Sequence, residues 1–285
     1  MLLFVVGILV GILKHDDLHI CIPASHRLGI DRLDCHSEVK RGGEILDEQA
    51  HSARNRPHIT LSMIVRNEEK RYLRQALETH RPWIDRAVII DDGSTDGTAA
   101  MCRELLEGIP LVLVENPTSR FSDEVRLRKQ QWEETIAVNP EWILNLDADE
   151  ILTTDFGELR DVLLSGPEEA IYFRLFDMWS ETAYREDAFW QAHAYYRPFL
   201  IKYRPGMVYE WKETPQHCGR FPLSIQHLPY ACHVPRVKHY GWAREEDRVR
   251  KYVRYQTLDP EARYGWKEQY ESILDAEPRL IPWTD

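Results

Sequence analysis

Between residues 60 and 146, four apolar runs alternate with three stretches of helical spacing, and that order restricts the fold more than anything else in the chain. Residues 60–65 (TLSMIV), 87–90 (AVII), 111–114 (LVLV) and 142–146 (WILNL) are short and rich in branched residues. Runs of that kind suit strands buried on both faces. Between the first two runs, over residues 68–79, Leu73, Ala76, Leu77 and His80 recur at i, i+3, i+4 and i+7. Residues 98–106 follow the capping types Ser94, Thr95 and Asp96, and over 123–136 Val125, Trp132 and Ile136 share a helical face. Strand and helix alternating in this way demand right-handed crossovers and a parallel sheet flanked by helices, an α/β fold.

Charge appears where that sheet should end. Asp147, Asp149 and Glu150 crowd behind the fourth run, with only Ala148 between the aspartates. Carboxylates so close repel, and a divalent cation is the usual relief. In open α/β sheets the carboxyl ends of the strands are where ligands bind. The cluster therefore reads as an anchor for a metal and a diphosphate. The plain alternative is a solvated turn. In VIIDDGSTDGT (88–98), Asp91 and Asp92 directly follow the second run and precede a glycine turn. A carboxylate there can accept hydrogen bonds from a ribose or a base N–H, although capping of the next helix explains Ser94, Thr95 and Asp96 equally well. The loop is no phosphate-cradling P-loop, since it lacks the lysine and the glycine spacing.

Taken in order, SMIVRNEE (62–69), VIIDDGSTDGT and LNLDADE (144–150) resemble the family 2 glycosyltransferases of the GT-A fold. The likeness is strong over residues 59–152. Beyond them it continues loosely, as the subgroup related to lipopolysaccharide-core and cell-wall glycosyltransferases. It implies a mostly parallel twisted sheet with a Rossmann-like nucleotide-binding half and an acceptor-side half. It also implies transfer of a hexose from a nucleotide sugar, a UDP-sugar, with inversion, to a cell-envelope or surface glycan or lipid-linked acceptor. By the same resemblance, Val65, Asn67, Glu68, Asp91, Asp92 and Gly93 hold the base and ribose, Arg128 faces the donor, and Asp147 and Ala148 meet the diphosphate. Asp147, Asp149 and the C-terminal His239 of VKHYGWA hold Mn²⁺ or Mg²⁺.

That chemistry is coherent. A diphosphate leaving group is stabilised by a hard cation on oxygen ligands, and an inverting displacement needs a carboxylate to deprotonate the acceptor hydroxyl. Two carboxylates qualify: Glu213 in YEWKETPQHCGRF, which is favoured, and Asp187 in YREDAFW. Two rival functions share some of these features. A sugar nucleotidyltransferase would carry a glycine-rich basic loop after the first strand, where this chain has Arg66 and no glycine. A non-catalytic nucleotide- or carbohydrate-binding module would bind without a metal.

The rest of the chain bounds the reading. A net charge of −11 at pH 7 argues against a nucleic-acid partner. Five scattered cysteines suggest reduced thiols in a cytoplasmic protein. Residues 1–57 form an N-terminal extension. Its apolar start (1–13) is too short for a membrane span, and its Cys/His patch matches no zinc spacing. Residues 58–243 make the catalytic domain, and 244–285 a helix and tail packed on it. The aromatic residues from Tyr172 to Tyr196 suit either core or an acceptor groove, while Arg248, Lys251 and Arg254 form a basic helical face suited to phosphates or peripheral contact at the inner face of the plasma membrane.

Overall fold

The computed structural model describes residues 56–285. The expectations for the apolar start and the Cys/His patch lie outside those residues. Strand β1 (Ile59–Val65) is buried along its whole length, as a strand covered on both faces must be. It pairs in parallel with β2 (Arg86–Asp91) on one side and β4 (Trp142–Asn145) on the other, and β3 (Leu111–Glu115) extends the parallel set beyond β2. Helices α1 (Leu73–His80), α2 (Thr98–Leu105) and α3 (Glu124–Ala137) make the crossovers.

The expected order holds, with one displaced boundary. Helix α1 begins at Leu73 rather than near Glu68, because Asn67 turns the chain at φ +53°. Its N–H donates to Ser94 Oγ at 3.0 Å and its Oδ1 accepts from the Thr95 N–H at 2.8 Å. These bonds tie the first turn to the second and delay the helix. At the other end of α1, His80 is fully buried, and its Nε2 accepts from the Leu152 N–H at 3.1 Å. Burial pushes this imidazole down to about 3, so it is neutral.

The stretch WILNLDADEIL (142–152) carries a second, short strand beyond the fourth run. After β4 the chain turns through residues 146–149 and enters β5 (Glu150–Leu152). Helix α4 (Asp155–Ser165), β6 (Ala170–Asp177), β7 (Ala183–Arg185), β8 (Tyr196–Lys202) and β9 (Tyr230–His239) follow. The large sheet has eight strands in the order β3-β2-β1-β4-β8-β6-β9-β5. Its second half is mixed: β8 is antiparallel to β4 and β6, β6 is parallel to β9, and β5 is antiparallel to β9.

This order forces curvature. Strands β4 and β5 are four places apart, roughly 19 Å across a flat sheet. Yet only a tight turn joins them, with the Glu150 N–H donating to the Asp147 carbonyl at 3.0 Å. The sheet must curl until its far edge returns to its middle, which brings β9 and β6 to the acidic turn.

Neighbouring residues of β4 face opposite layers. Leu144 packs with Leu61, Leu77, Phe156 and Phe173, while Ile143 packs with Trp132, Ile201 and Phe221. Each such side chain contributes about 1.5–3 kcal/mol when fully buried. Helix α5 (Glu245–Leu258), α6 (Lys267–Glu271) and β10 (Leu280–Pro282) complete the described chain, β10 pairing antiparallel with β7.

The basic face expected on α5 does not point outward. Arg248 donates to the carbonyls of Trp179 and Trp242, Arg254 lies 5.0 Å over the Phe121 ring, and Lys251 turns towards Asp149. Of the aromatic stretch, Tyr172, Phe173, Phe176, Trp179 and Trp190 are core. Cys102 and Cys218 are buried free thiols. Among the described residues no helix is long and apolar enough to cross a membrane.

Candidate active site

The C-terminal ends of β1, β2 and β4 converge, as a parallel sheet requires, and they present the turn at Asn67, the pair Asp91–Asp92 and the turn at Asp147. Val65 and Ala148 are buried apolar walls of this end. Asp91 Oδ1 accepts from the Ser94 N–H at 2.8 Å. Asp92, 0% exposed, commits both carboxylate oxygens to the chain itself. It accepts from Asn116 Nδ2 at 3.0 Å, Ser119 Oγ at 2.6 Å and the Arg120 N–H at 2.9 Å. It therefore fastens residues 116–120 across the end of β2. Gly93 makes that closure feasible, since its φ is +75° and a Cβ there would sit 3.0 Å from the Ser119 nitrogen. Glu68 is buried, and its N–H donates to Thr98 Oγ1 at 2.7 Å. Burial raises its carboxyl to about 8, against the pull of Arg71, with which it pairs.

The acidic turn has two faces. Asp147 Oδ1 accepts from Arg128 Nη2 at 2.9 Å, and its N–H donates to Glu150 Oε2 at 2.9 Å. Glu150, only 2% exposed, is held by Arg220 through bonds of 2.7 and 2.8 Å. Burial would raise the Asp147 carboxyl, but Arg128 and Arg220 hold it well below the usual carboxylate range. Beside Asp147 lies an open pocket of about 540 Å³, lined by Arg128, Arg197, Arg220, Tyr172 and Tyr196.

Asp149 faces the other way, towards β9. His239 Nε2 stands 3.6 Å from its Oδ1, Lys251 Nζ 3.8 Å and Arg71 Nη2 3.9 Å from its Oδ2. His239 Nδ1 donates to Asp177 Oδ1 at 2.7 Å, which fixes the ring and turns Nε2 to the aspartate. That is the arrangement a ligating histidine has when an outer carboxylate orients it. Burial again opposes ionisation of Asp149, but Lys251, His239 and Arg71 hold its carboxyl below the ordinary value. A carboxylate oxygen and an imidazole nitrogen are suitable donors for Mn²⁺ or Mg²⁺. The donor set fits such a cation at two positions. Among the described residues no three His, Cys, Asp or Glu side chains gather as a ready cage.

The two expected bases make no hydrogen bond or ion pair with this cluster. Asp187 accepts from Arg185 Nε at 2.5 Å and from the N–H groups of Phe189 and Trp190. Glu213 is solvent-facing and pairs with Lys129 at 2.5 Å, in a separate depression with Trp132, Tyr209 and Trp211. Sequence reasoning missed Asp177, Arg71 and Arg220, and read Lys251 as part of a face suited to phosphates rather than as a partner of Asp149. Asp177 closes the apolar run of β6 much as Asp147 follows β4, so the same logic could have found it. The cations have no such signal, because the sheet's curl alone brings them to the turn.

The family described as Glycosyl transferase family 2 matches residues 60–207. The chain is 26% identical over 227 residues to an uncharacterized protein of Mycobacterium tuberculosis, covering 75% of this chain and 54% of that protein. It is 30% identical over 121 residues to the lipopolysaccharide core biosynthesis glycosyltransferase LpsC of Rhizobium meliloti, covering 42% of each. The chain thus spans about half the length of the curated relatives it matches. Of solved structures, S. aureus TarS is similar at 11% identity and a TM-score of 0.45, over 76% of this chain and 42% of that one.

Proposed function

The chain belongs to glycosyl transferase family 2, and on that premise we propose that it transfers a hexose from a nucleotide sugar, a UDP-sugar, to a cell-envelope glycan with inversion. The observation that carries this reading is the Asp149–His239 pair, 3.6 Å apart and oriented by Asp177, beside the guanidinium-held Asp147. In this reading Asn67, Glu68, Asp91 and the Gly93 turn border the nucleoside, and Asp92 acts by fastening residues 116–120 around it. Asp149 and His239 would hold Mn²⁺ or Mg²⁺, with Asp147 free to join once Arg128 shifts. When bound, the cation supplies Lewis-acid neutralisation of the diphosphate leaving group.

Arg128 and Arg220 add positive charge at the pocket mouth, where a departing diphosphate or an anionic acceptor would meet it. The acceptor proton is assigned to Glu213, whose carboxylate faces solvent next to Lys212, a residue lining the pocket at Asp147. Asp187 is the weaker candidate because Arg185 and two amides take up its oxygens. The part that LpsC plays in lipopolysaccharide core biosynthesis supports the acceptor class.

The decisive measurement is donor hydrolysis or transfer with Mn²⁺, comparing wild type with Asp149→Ala. Loss of at least about 100-fold in kcat/KM is expected. Turnover equal to wild type would remove Asp149 from the reaction and the reading with it.

A further inference from the structure

Three polar groups close on one point above Gly241. A Cβ built on that glycine would lie 2.5 Å from Asp149 Oδ2 and 2.6 Å from His239 Nε2, and would collide with Lys251 Nζ. The three groups thus crowd one small space, and a cation shared by Asp149 and His239 would have to enter where the ammonium of Lys251 already lies, 3.8 Å from Asp149 Oδ2. Lys251 has a seat of its own there. Its Nζ lies 4.2 Å over the Trp242 ring and donates to His239 Nε2 at 3.4 Å. Its side chain is only 15% exposed.

We propose that Lys251 is a built-in cation of the donor site, seated between Asp149 and His239 so that a divalent ion can bind there only by displacing it. The proposal rests on the reading of Asp149 and His239 as metal ligands. Charge balance supports it. With Lys251 at 3.8 Å and Arg71 at 3.9 Å, Asp149 is already compensated by the chain. A divalent ion entering between Asp149 and His239 would meet the ammonium at close range, and like charges so near repel strongly in a largely buried site. The four-carbon stem of lysine, rooted on α5, allows the head to swing clear. Lys251 thus sets how much free metal the site needs, and it keeps Asp149 and His239 charge-balanced before metal arrives.

Calorimetric titration of Mn²⁺ into the full chain, without donor, tests this in wild type, Lys251→Met, Lys251→Gln and Asp149→Asn. Met keeps the stem on Trp242 and removes the charge, and Gln serves should Met lower the melting temperature. The expected result is a Kd at least about 10-fold tighter in the Lys251 variants, and no binding in Asp149→Asn. Equal affinity in wild type and both Lys251 variants, with binding still lost in Asp149→Asn, overturns the role of Lys251 and leaves the metal ligands standing. Binding that survives Asp149→Asn, or that none of the proteins shows, overturns the metal ligands and the role of Lys251 together.

Discussion

His80 illustrates how far a single residue can be read from sequence. Its place in the i, i+7 pattern marks it as an inward face of α1, and the structure buries it completely. What the pattern could not show is that its Nε2 caps the Leu152 N–H of a strand 72 residues away. The consequence is a pH dependence of known sign. The folded imidazole titrates at about 3, below its ordinary 6.5, so the unfolded chain binds a proton first as pH falls. The associated stability is complete above about pH 6.5 and is lost progressively towards pH 3. His80→Gln keeps an acceptor but does not titrate. Urea unfolding at pH 7 and pH 4.5 should therefore show wild type losing up to about 2–3 kcal/mol more than the variant over that interval. At the acceptor side, Glu213→Gln should lower kcat by about 10²–10⁴-fold with little change in donor KM. A kcat within twofold of wild type would place the base elsewhere.

At the level of elements, the parallel half was legible because each strand is a run covered on both faces and each helix shows its period. Residues 98–105 and 142–145 came out within one or two positions of their expected spans. The second half was less so. Its strands pair across long separations, and no local pattern says that β5 will leave β4 to join β9. The basic stripe of α5 misled for a related reason. Periodicity tells which residues share a face, but not whether that face meets solvent or a carboxylate. The turn after β2 offers a test at this scale. Gly93→Ala forces a left-handed φ on alanine and presses its Cβ on the Ser119 backbone, so about 1–3 kcal/mol of stability should be lost. Nucleotide affinity should fall with it, because the segment that Asp92 fastens moves. Denaturant midpoints and UDP calorimetry on the same preparations would check both.

Across the whole molecule, the C-terminal 42 residues are built into the site as well as packed against it. Trp179, Trp190 and Trp242 form one buried cluster with Ile273. The guanidinium of Arg185, nearly inaccessible, donates to the Ser272 carbonyl and to Asp275. A chain ending at residue 243 would strip these partners and expose the tryptophans. It should be insoluble or lack the near-ultraviolet circular dichroism of packed indoles, whereas loss of residues 280–285 alone removes the β10 pairing and the contacts of Trp283 with Phe176 and Arg236, and should lower the melting temperature without abolishing folding.

The tight turn that lets the curled sheet return on itself has a mechanical meaning. Asp147 and Asp149 sit on the clasp of a nearly closed ring, with β4 entering on one side and β5 leaving on the other. A ligand that grips both carboxylates would cinch that clasp, and the strain would be felt around the hoop. Slower amide exchange on donor binding should then appear in the rim strands β5 and β9, well beyond the residues the ligand touches.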